Sequence, residues 1–292
     1  VNMWTKREGL LARTAPASDK VSVRFWGVRG SIACSGPDTA KYGGNTSCIE
    51  VRCGDRLFIL DAGSGLRYLG EALKANGKPV EADLLLSHTH MDHVCGLPFF
   101  GPFHCPDTHV RIWSGHLENG WTTSQAVDEL MAEPLFPVSK DIFKGNVEFV
   151  DFEAGDTLTP TSAVNIRTAP LNHTNGATGY RIECGGKAVC YVTDTEHVPG
   201  KPDETILELI DGADVFIYDS SYTDEEFPQF VGYGHSTWQE GARLARAAGV
   251  KQFIAFHHDP MHNDATMDKI SRELKKMLPT ALVAREGLVL TP

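Results

Sequence analysis

Apolar residues in this chain fall into short runs punctuated by turns of glycine, asparagine and aspartate. Residues 21–26 alternate apolar and polar positions and predict an opening strand. A turn at 27–31 and a loop at 34–44, rich in glycine and polar residues, separate it from a second strand at 45–51 and a third at 56–60. Leu66, Leu69 and Leu73 share one helical face and predict a helix over 66–75. Further strands are expected at 82–86, 110–113, 147–152, 164–169, 179–184, 188–193, 215–218, 252–256, 281–283 and 288–290. Helices are expected at 122–131, 204–210, 238–248 and 265–277. The proline-flanked stretch 133–137 reads either as a lid or pocket wall, or as a cap in which Leu135 and Phe136 cover the core. Two successive halves, each of strands followed by helices, predict two sheets face to face with helices outside. No internal repeat, low-complexity tract or Gly/Pro/Ser-rich linker marks a boundary, so residues 21–292 are expected to form one α/β domain. Residues 1–20 carry Lys6, Arg7 and Arg13 but no continuous apolar run, and read as a flexible arm rather than a signal peptide.

Composition narrows the class. Of 292 residues, 41% are hydrophobic and 22% charged, which is ordinary for a soluble globular protein. No apolar run reaches the roughly 18–20 residues of a membrane span. A formal net charge of −11 opposes loose binding to nucleic acid, which needs Lys and Arg against phosphates. A small anionic substrate in a metal-lined pocket escapes that objection, because the metals supply the local positive field. The seven cysteines lack a Cys-x-x-Cys and sit mostly in apolar strand-like contexts, so free core thiols in a reducing cytoplasm are expected. Cys95, two residues beyond His93, reads as a packing residue.

The densest chemistry follows the strand at 82–86, in Ser87-His88-Thr89-His90-Met91-Asp92-His93. Imidazoles and a carboxylate this crowded need hydrogen-bond partners or a metal when buried. Nitrogen with carboxylate oxygen suits zinc, manganese or iron. At an extended strand end His88 and His90 project to the same side, and Asp92 and His93 are expected on the following loop, offset toward a second ion. Such a set suits two metals about 3.5–4 Å apart, bridged by a hydroxide that attacks an electrophile. These four residues alone leave two ions under-coordinated. His173, Asp194, His257 and His258 each follow an apolar strand and can converge on the same edge.

The arrangement resembles the metallo-β-lactamase superfamily, and more narrowly its phosphodiesterase branch, which contains the tRNA 3′-processing ribonuclease Z and small cyclic-phosphate diesterases. The matching stretches are Gly44-Asn45-Thr46-Ser47, Asp61-Ala62-Gly63-Ser64-Gly65, the His-x-His-x-Asp-His cluster, Leu171-Asn172-His173-Thr174, Thr193-Asp194-Thr195, Tyr218-Asp219-Ser220-Ser221-Tyr222 and Gly234-His235-Ser236-Thr237. The resemblance implies an αββα sandwich of two facing mixed β-sheets. It implies two divalent ions, zinc foremost with manganese or iron also suited. His88, His90 and His173 would hold the first, Asp92, His93 and His257 the second, and Asp194 would bridge them. His257 is the better match than His258, though the doublet leaves both open. Asp92, His235 and Asp219 are the implied catalytic side chains, with His235 giving a hydrogen bond or proton to the phosphoryl group and Asp219 orienting it. Asp61 would buttress the histidine loop. His104, His109, His116, His197 and His262 match nothing and read as surface or structural. A homodimer is the assembly the resemblance suggests.

Two departures stand out. Tyr218-Asp219 replaces the branch's His-Glu and shortens the acid by a methylene. Ribonuclease Z also carries a long tRNA-gripping arm between the third motif and the bridging aspartate, where this chain has room only for a hairpin between His173 and Asp194. The expectation is therefore a cytoplasmic dinuclear phosphodiesterase for a small phosphodiester such as a cyclic nucleotide, with tRNA disfavoured. The rival readings are a lactone, thioester or β-lactam hydrolase on the same fold, or a non-catalytic metal-stabilised nucleotide-binding domain.

Overall fold

In the computed structural model, which describes residues 20–292, the apolar runs pair into two seven-stranded sheets. The arm expected over residues 1–20 lies, apart from Lys20, outside the described residues. The first sheet takes β1 (Val21–Gly27), β2 (Cys48–Cys53), β3 (Arg56–Leu60), β4 (Glu81–Leu86), β5 (His109–Ser114) and β6 (Asn146–Asp151) in chain order. The second takes β7 (Thr157–Thr161), β8 (Val164–Leu171), β9 (Ala177–Cys184), β10 (Lys187–Val192), β11 (Val215–Asp219), β12 (Gln252–Phe256) and β13 (Leu282–Val283). The last strand, β14 (Val289–Leu290), crosses back to pair antiparallel with β1, setting Leu290 opposite Val23.

Both sheets are mixed. β1, β2 and β3 run antiparallel and β3 to β6 parallel. β7 to β10 run antiparallel and β10 to β13 parallel. Strand β1 alternates buried and more exposed positions, as its sequence alternates, whereas β4 is buried at every position after Glu81 because neighbours and both faces cover it. Between the sheets, Phe25, Phe58 and Leu85 meet Ile182, Tyr191 and Ile254 in one apolar layer. Outside the first sheet lies α1 (Gly65–Ala75), which buries the expected Leu66, Leu69 and Leu73. α4 (Glu204–Ile210), α5 (Trp238–Ala247) and α6 (Asp264–Met277) cover the second sheet through Ile206, Leu244 and Ile270. Thr237 and Asn263 cap the last two helices by accepting hydrogen bonds from the Glu240 and Thr266 amides.

Several expectations shift. Asp92 and His93 sit on a short helix, α2 (Met91–Val94), where a loop was expected, because Met91 accepts a backbone bond from Cys95 and closes a helical turn. β7 was not foreseen; Leu158 is its only fully buried position, so its sequence shows little periodicity. In the proline-flanked stretch the two readings divide: Leu135 is 84% exposed, while Phe136 packs edge-on against Phe99. The helix expected at 122–131 is α3 (Thr123–Leu130), opened by a reciprocal Thr122–Gln125 capping box. No helix among the described residues is long and apolar enough to cross a membrane.

The expectation of free thiols fails for one pair. Cys53 and Cys184 form a disulfide with their Cα atoms 6.1 Å apart. Cys53 ends β2 opposite the start of β3, and Cys184 ends β9 opposite the start of β10. The bridge therefore clasps the two sheets at the end away from Asp61 and Asp194, which follow β3 and β10. The other five cysteines, Cys34, Cys48, Cys95, Cys105 and Cys190, are free.

Ile254 is fully enclosed between the sheets. Ile254→Ala should lower stability by about 2–5 kcal/mol, seen as a lower denaturant midpoint at unchanged slope. An unchanged midpoint would contradict this packing.

Candidate metal centre

The parallel strands bring their carboxyl ends to one edge of the sandwich, the place where α/β sheets present functional loops. Strand β4 delivers Ser87, His88 and His90 there, and Tyr180 fixes its end by donating a hydrogen bond to the Leu86 carbonyl (2.6 Å). Asp61, fully buried just past β3, anchors the loop. Its carboxylate accepts from the Ser87 amide (2.6 Å), the Ser87 hydroxyl (2.7 Å), His93 Nδ1 (2.7 Å) and the Tyr191 hydroxyl (2.6 Å). With Nδ1 committed to Asp61, His93 turns Nε2 inward. This is the carboxylate–imidazole support typical of metal ligands.

The other imidazoles are oriented the same way. His173 donates Nδ1–H to the Gly234 carbonyl (2.8 Å), His257 Nδ1 lies 3.1 Å from the Ser221 hydroxyl, and His88 Nδ1 lies 3.0 Å from the Ser87 hydroxyl. Two groups of donors result, each with its atoms within 4.8 Å of one another: His88, His90 and His173, and Asp92, His93, Asp194 and His257. Asp194 reaches both. Its Oδ2 is 3.6 Å from Nε2 of His88 and of His173, and its Oδ1 is 3.2 Å from His93 Nε2 and 3.1 Å from His257 Nε2. His258 does not join them; it donates Nε2–H to the Ala284 carbonyl (2.8 Å). Burial pushes its imidazole down to about 3.

Asp61, Asp194 and His257 all have left-handed backbones, with φ of 59°, 51° and 61°. That sparsely populated region turns each side chain across the end of its strand, a cost that functional sites tolerate when the surroundings enforce it. Two glycines are required by the imidazoles. A Cβ on Gly30 would sit 2.5 Å from His257 Nδ1, and one on Gly234, itself at φ 82°, would sit 2.3 Å from His173 Nδ1. The same Gly30 turn sends the Ser31 amide to Asp92 Oδ2 (2.7 Å).

These donors fit divalent cations. Two buried carboxylates share the site with His88, His90 and His173, whose positive charge burial disfavours, so the carboxylates' negative charge needs compensation. Burial disfavours the charge on Asp194, but His257 and His93 outweigh it and hold the carboxyl well below the usual range. For Asp92 burial is likewise overcome, by His93 and then His257. Burial lowers His88 well below the ordinary imidazole value, with His93 adding to it. His93 goes the other way: burial opposes its charge, yet Asp194, Asp92 and Asp61 hold it well above that value. His88 Nε2 is moreover buried with no hydrogen-bond partner among the described residues, a rarity for a buried polar atom unless it serves an ion.

His235 stands beside the donors, its ring 5.0 Å from that of His257 and 5.6 Å from that of His173. It donates Nδ1–H to Asp219 Oδ2 (2.9 Å), so the shorter acid does make the link. Burial disfavours its proton, but Asp219 more than compensates and raises it to about 9. Asp194, Asp219, His235 and His257 also lie close enough to form a donor group. Asp219 is already saturated, however, by His235, the Thr195 amide and both the amide and hydroxyl of Ser221.

Sequence reasoning missed Gly30, Ser31 and Ser221, whose roles depend on contacts distant in the chain. It read His116 as surface or structural. That side chain is buried, bonded to Ser114 (2.8 Å) and Thr89 (3.1 Å), and floors a cavity of about 530 Å³ beside Thr89 and Met91. His197 and His262 are buried too, paired with Ser236 (2.7 Å) and Glu226 (3.0 Å), which fits a structural role. Cys95 belongs to neither donor group and lies 3.8 Å from the Thr46 hydroxyl.

A sequence profile of the β-lactamase superfamily domain matches residues 56–258. A ribonuclease Z of Treponema denticola is 22% identical over 302 aligned residues, which cover 88% of this chain and 95% of that protein. Among solved structures, the metallo-β-lactamase fold protein YhfI from Bacillus subtilis superimposes with a TM-score of 0.70, covering 94% of this chain and 100% of that one at 17% identity. A diphosphatase from the PhnP family gives a TM-score of 0.67 over 94% and 97% of the two chains at 16% identity. At such identities the two structural likenesses are likenesses of fold.

Gly234→Ala should displace His173 and lower zinc stoichiometry or affinity at least tenfold, read by titration with a chromophoric chelator. Gly249→Ala, where a side chain would meet nothing within 4 Å, controls for the positive φ both glycines share. Equal metal binding by the two variants would mean that the His173 cradle is not required.

Proposed function

The chain belongs to the β-lactamase superfamily and has its fold, and on that premise we propose that it is a dinuclear, metal-dependent phosphodiesterase acting on a small phosphodiester such as a cyclic nucleotide. His88, His90 and His173 would hold one divalent cation and Asp92, His93 and His257 the other, with Asp194 within reach of both donor groups. Bound there, the cations supply Lewis acidity for the phosphoryl group and a nucleophile from water at neutral pH.

The observation that carries the reading is the His235–Asp219 pair. A phosphodiester is an anion that expels an alkoxide, so it gains both from a cationic imidazole beside its phosphoryl oxygens and from a proton donor at the leaving oxygen; a neutral lactone or β-lactam gains only from the second. Asp219 holds Nδ1–H and favours the protonated form of the His235 ring. Nδ1 is held by Asp219, so Nε2 is the atom that gives a proton or hydrogen bond to the departing oxygen. Asp219 fixes the ring and its tautomer, and Ser221 ties that carboxylate to His257. Asp92 acts with them by holding its cation in place, with the Ser31 amide as its own support.

A small substrate is supported by what stands between His173 and Asp194: only β9, a Gly185–Gly186 turn and β10, with no gripping arm. The ribonuclease Z relative, aligned over most of both chains, supports RNA as a second reading for the same chemistry.

Protein loaded with zinc or manganese should hydrolyse bis(p-nitrophenyl) phosphate and lose that activity on chelation. His235→Ala should retain its metal and, on a cyclic nucleotide whose departing alkoxide needs the proton, lose about 10²–10⁴-fold in kcat. Full activity in that variant would remove His235 from the mechanism. A panel of cyclic nucleotides, a 3′-extended tRNA and lactones then separates the readings: turnover of the tRNA alone overturns the small substrate, and turnover of lactones alone overturns phosphodiester chemistry.

A further inference from the structure

The cavity floored by His116 lies one side chain away from the donors. Thr89, between His88 and His90, meets His116 Nε2 at 3.1 Å, and the His116 ring is 6.3 Å from that of His88. Its walls come from elements outside both sheets: α3 supplies Ala126, Val127 and Leu130, and the segment before it supplies Trp121, which is 50% exposed. Met91, from the turn that carries Asp92, is 62% exposed and faces the same space. A half-exposed indole and a bare thioether offer flat, polarizable surface with no protein covering them.

Polar groups sit at the rim. Asn119 and Asn175 line the cavity, both with left-handed backbones (φ 58° and 66°) and each followed by a glycine of positive φ. Their side-chain amides make no hydrogen bond among the described residues. Gly176 brings the second of these turns against His116: a Cβ there would lie 3.2 Å from the His116 carbonyl. The charged residues of the lining are Glu118 and Glu129, and no lysine or arginine joins them.

We propose that this cavity receives an uncharged heteroaromatic ring carried by the phosphoryl group, stacked on Trp121 and read at its edge by Asn119 and Asn175. The inference rests on the phosphodiesterase reading for the placement of the phosphoryl group at the donors, and it names the substituent that extends from there. At about 530 Å³ the cavity has room for a ring together with the sugar that carries it. Two glutamates without a compensating cation repel a second phosphate or carboxylate on that side. A nucleoside with a single phosphodiester fits; a substrate that runs a polyanionic strand through this cavity does not.

The test compares two diesters with the same leaving group, thymidine 5′-p-nitrophenyl phosphate and methyl p-nitrophenyl phosphate, on the zinc-loaded protein. Wild type should prefer the nucleoside diester, and Trp121→Ala should reduce the ratio of the two kcat/KM values about tenfold, the scale of a lost base stack. An unchanged ratio overturns the proposal. Binding of adenosine to the metal-free protein, followed by calorimetry, provides a readout without turnover: Trp121→Ala should weaken it about tenfold. The Glu118→Gln/Glu129→Gln double variant should bind N6-carboxymethyladenosine more tightly than wild type does. Failure of adenosine to bind wild type overturns the ring pocket. Adenosine binding that depends on Trp121, with neither diester hydrolysed, would instead overturn the phosphodiesterase reading and leave the pocket standing.

Discussion

The site depends on one buried carboxylate reaching two clusters of imidazole at once. Asp194 follows a parallel strand of the second sheet, with φ of 51°, and directs Oδ1 toward His93 and His257 and Oδ2 toward His88 and His173. Four of the partner nitrogens around it are supplied by two sheets, so the carboxylate is stable in that position only while the sheets stay in register. The inter-sheet layer of Phe25, Phe58, Leu85, Tyr191 and Ile254 maintains that register. Packing and chemistry are thus joined directly: Tyr191 is part of the layer and also donates to Asp61, which in turn orients His93.

Much of this was legible in the sequence because strand ends are marked by abrupt changes from apolar to polar residues. The runs before Asp61, His88, Asp194 and His257 are nearly uninterrupted apolar stretches, and period-two or continuous hydrophobicity identifies such strands whatever their partners. Helix faces such as Leu66, Leu69 and Leu73 were legible for the same reason. Periodicity reports burial but not pairing across the chain. The disulfide between Cys53 and Cys184, separated by 131 positions, left no local signal. Gly30 read as a turn residue and Gly234 as the first residue of the Gly-His-Ser-Thr stretch, and only the imidazole against each shows why a side chain is excluded. His116 read as surface or structural because the cavity it lines also draws on Thr89, Met91 and Asn175, a convergence that no local pattern records.

Electrostatics reconcile an acidic protein with the anionic substrate proposed for it. The net charge of −11 is spread over the whole chain, whereas the edge where the strands end gathers His88, His90, His93, His173, His235 and His257. Carboxylates there are enclosed and tied down, so their charge is directed inward. An anion approaching the cleft would meet the local field of the cations those donors suit, against a repulsive background. Binding would therefore favour compact anions over long ones at low ionic strength.

The cystine at the opposite end has a consequence for how the molecule withstands damage. Cys53 and Cys184 close a covalent ring that contains His88, His90, Asp92, His93 and His173, while Asp194 and His257 lie outside it. The exposed stretch at Leu135 falls within that ring. A protease cutting there releases no fragment: both pieces stay tethered beneath the sheets, and the severed chain keeps its halves aligned for as long as the sulfurs remain oxidised.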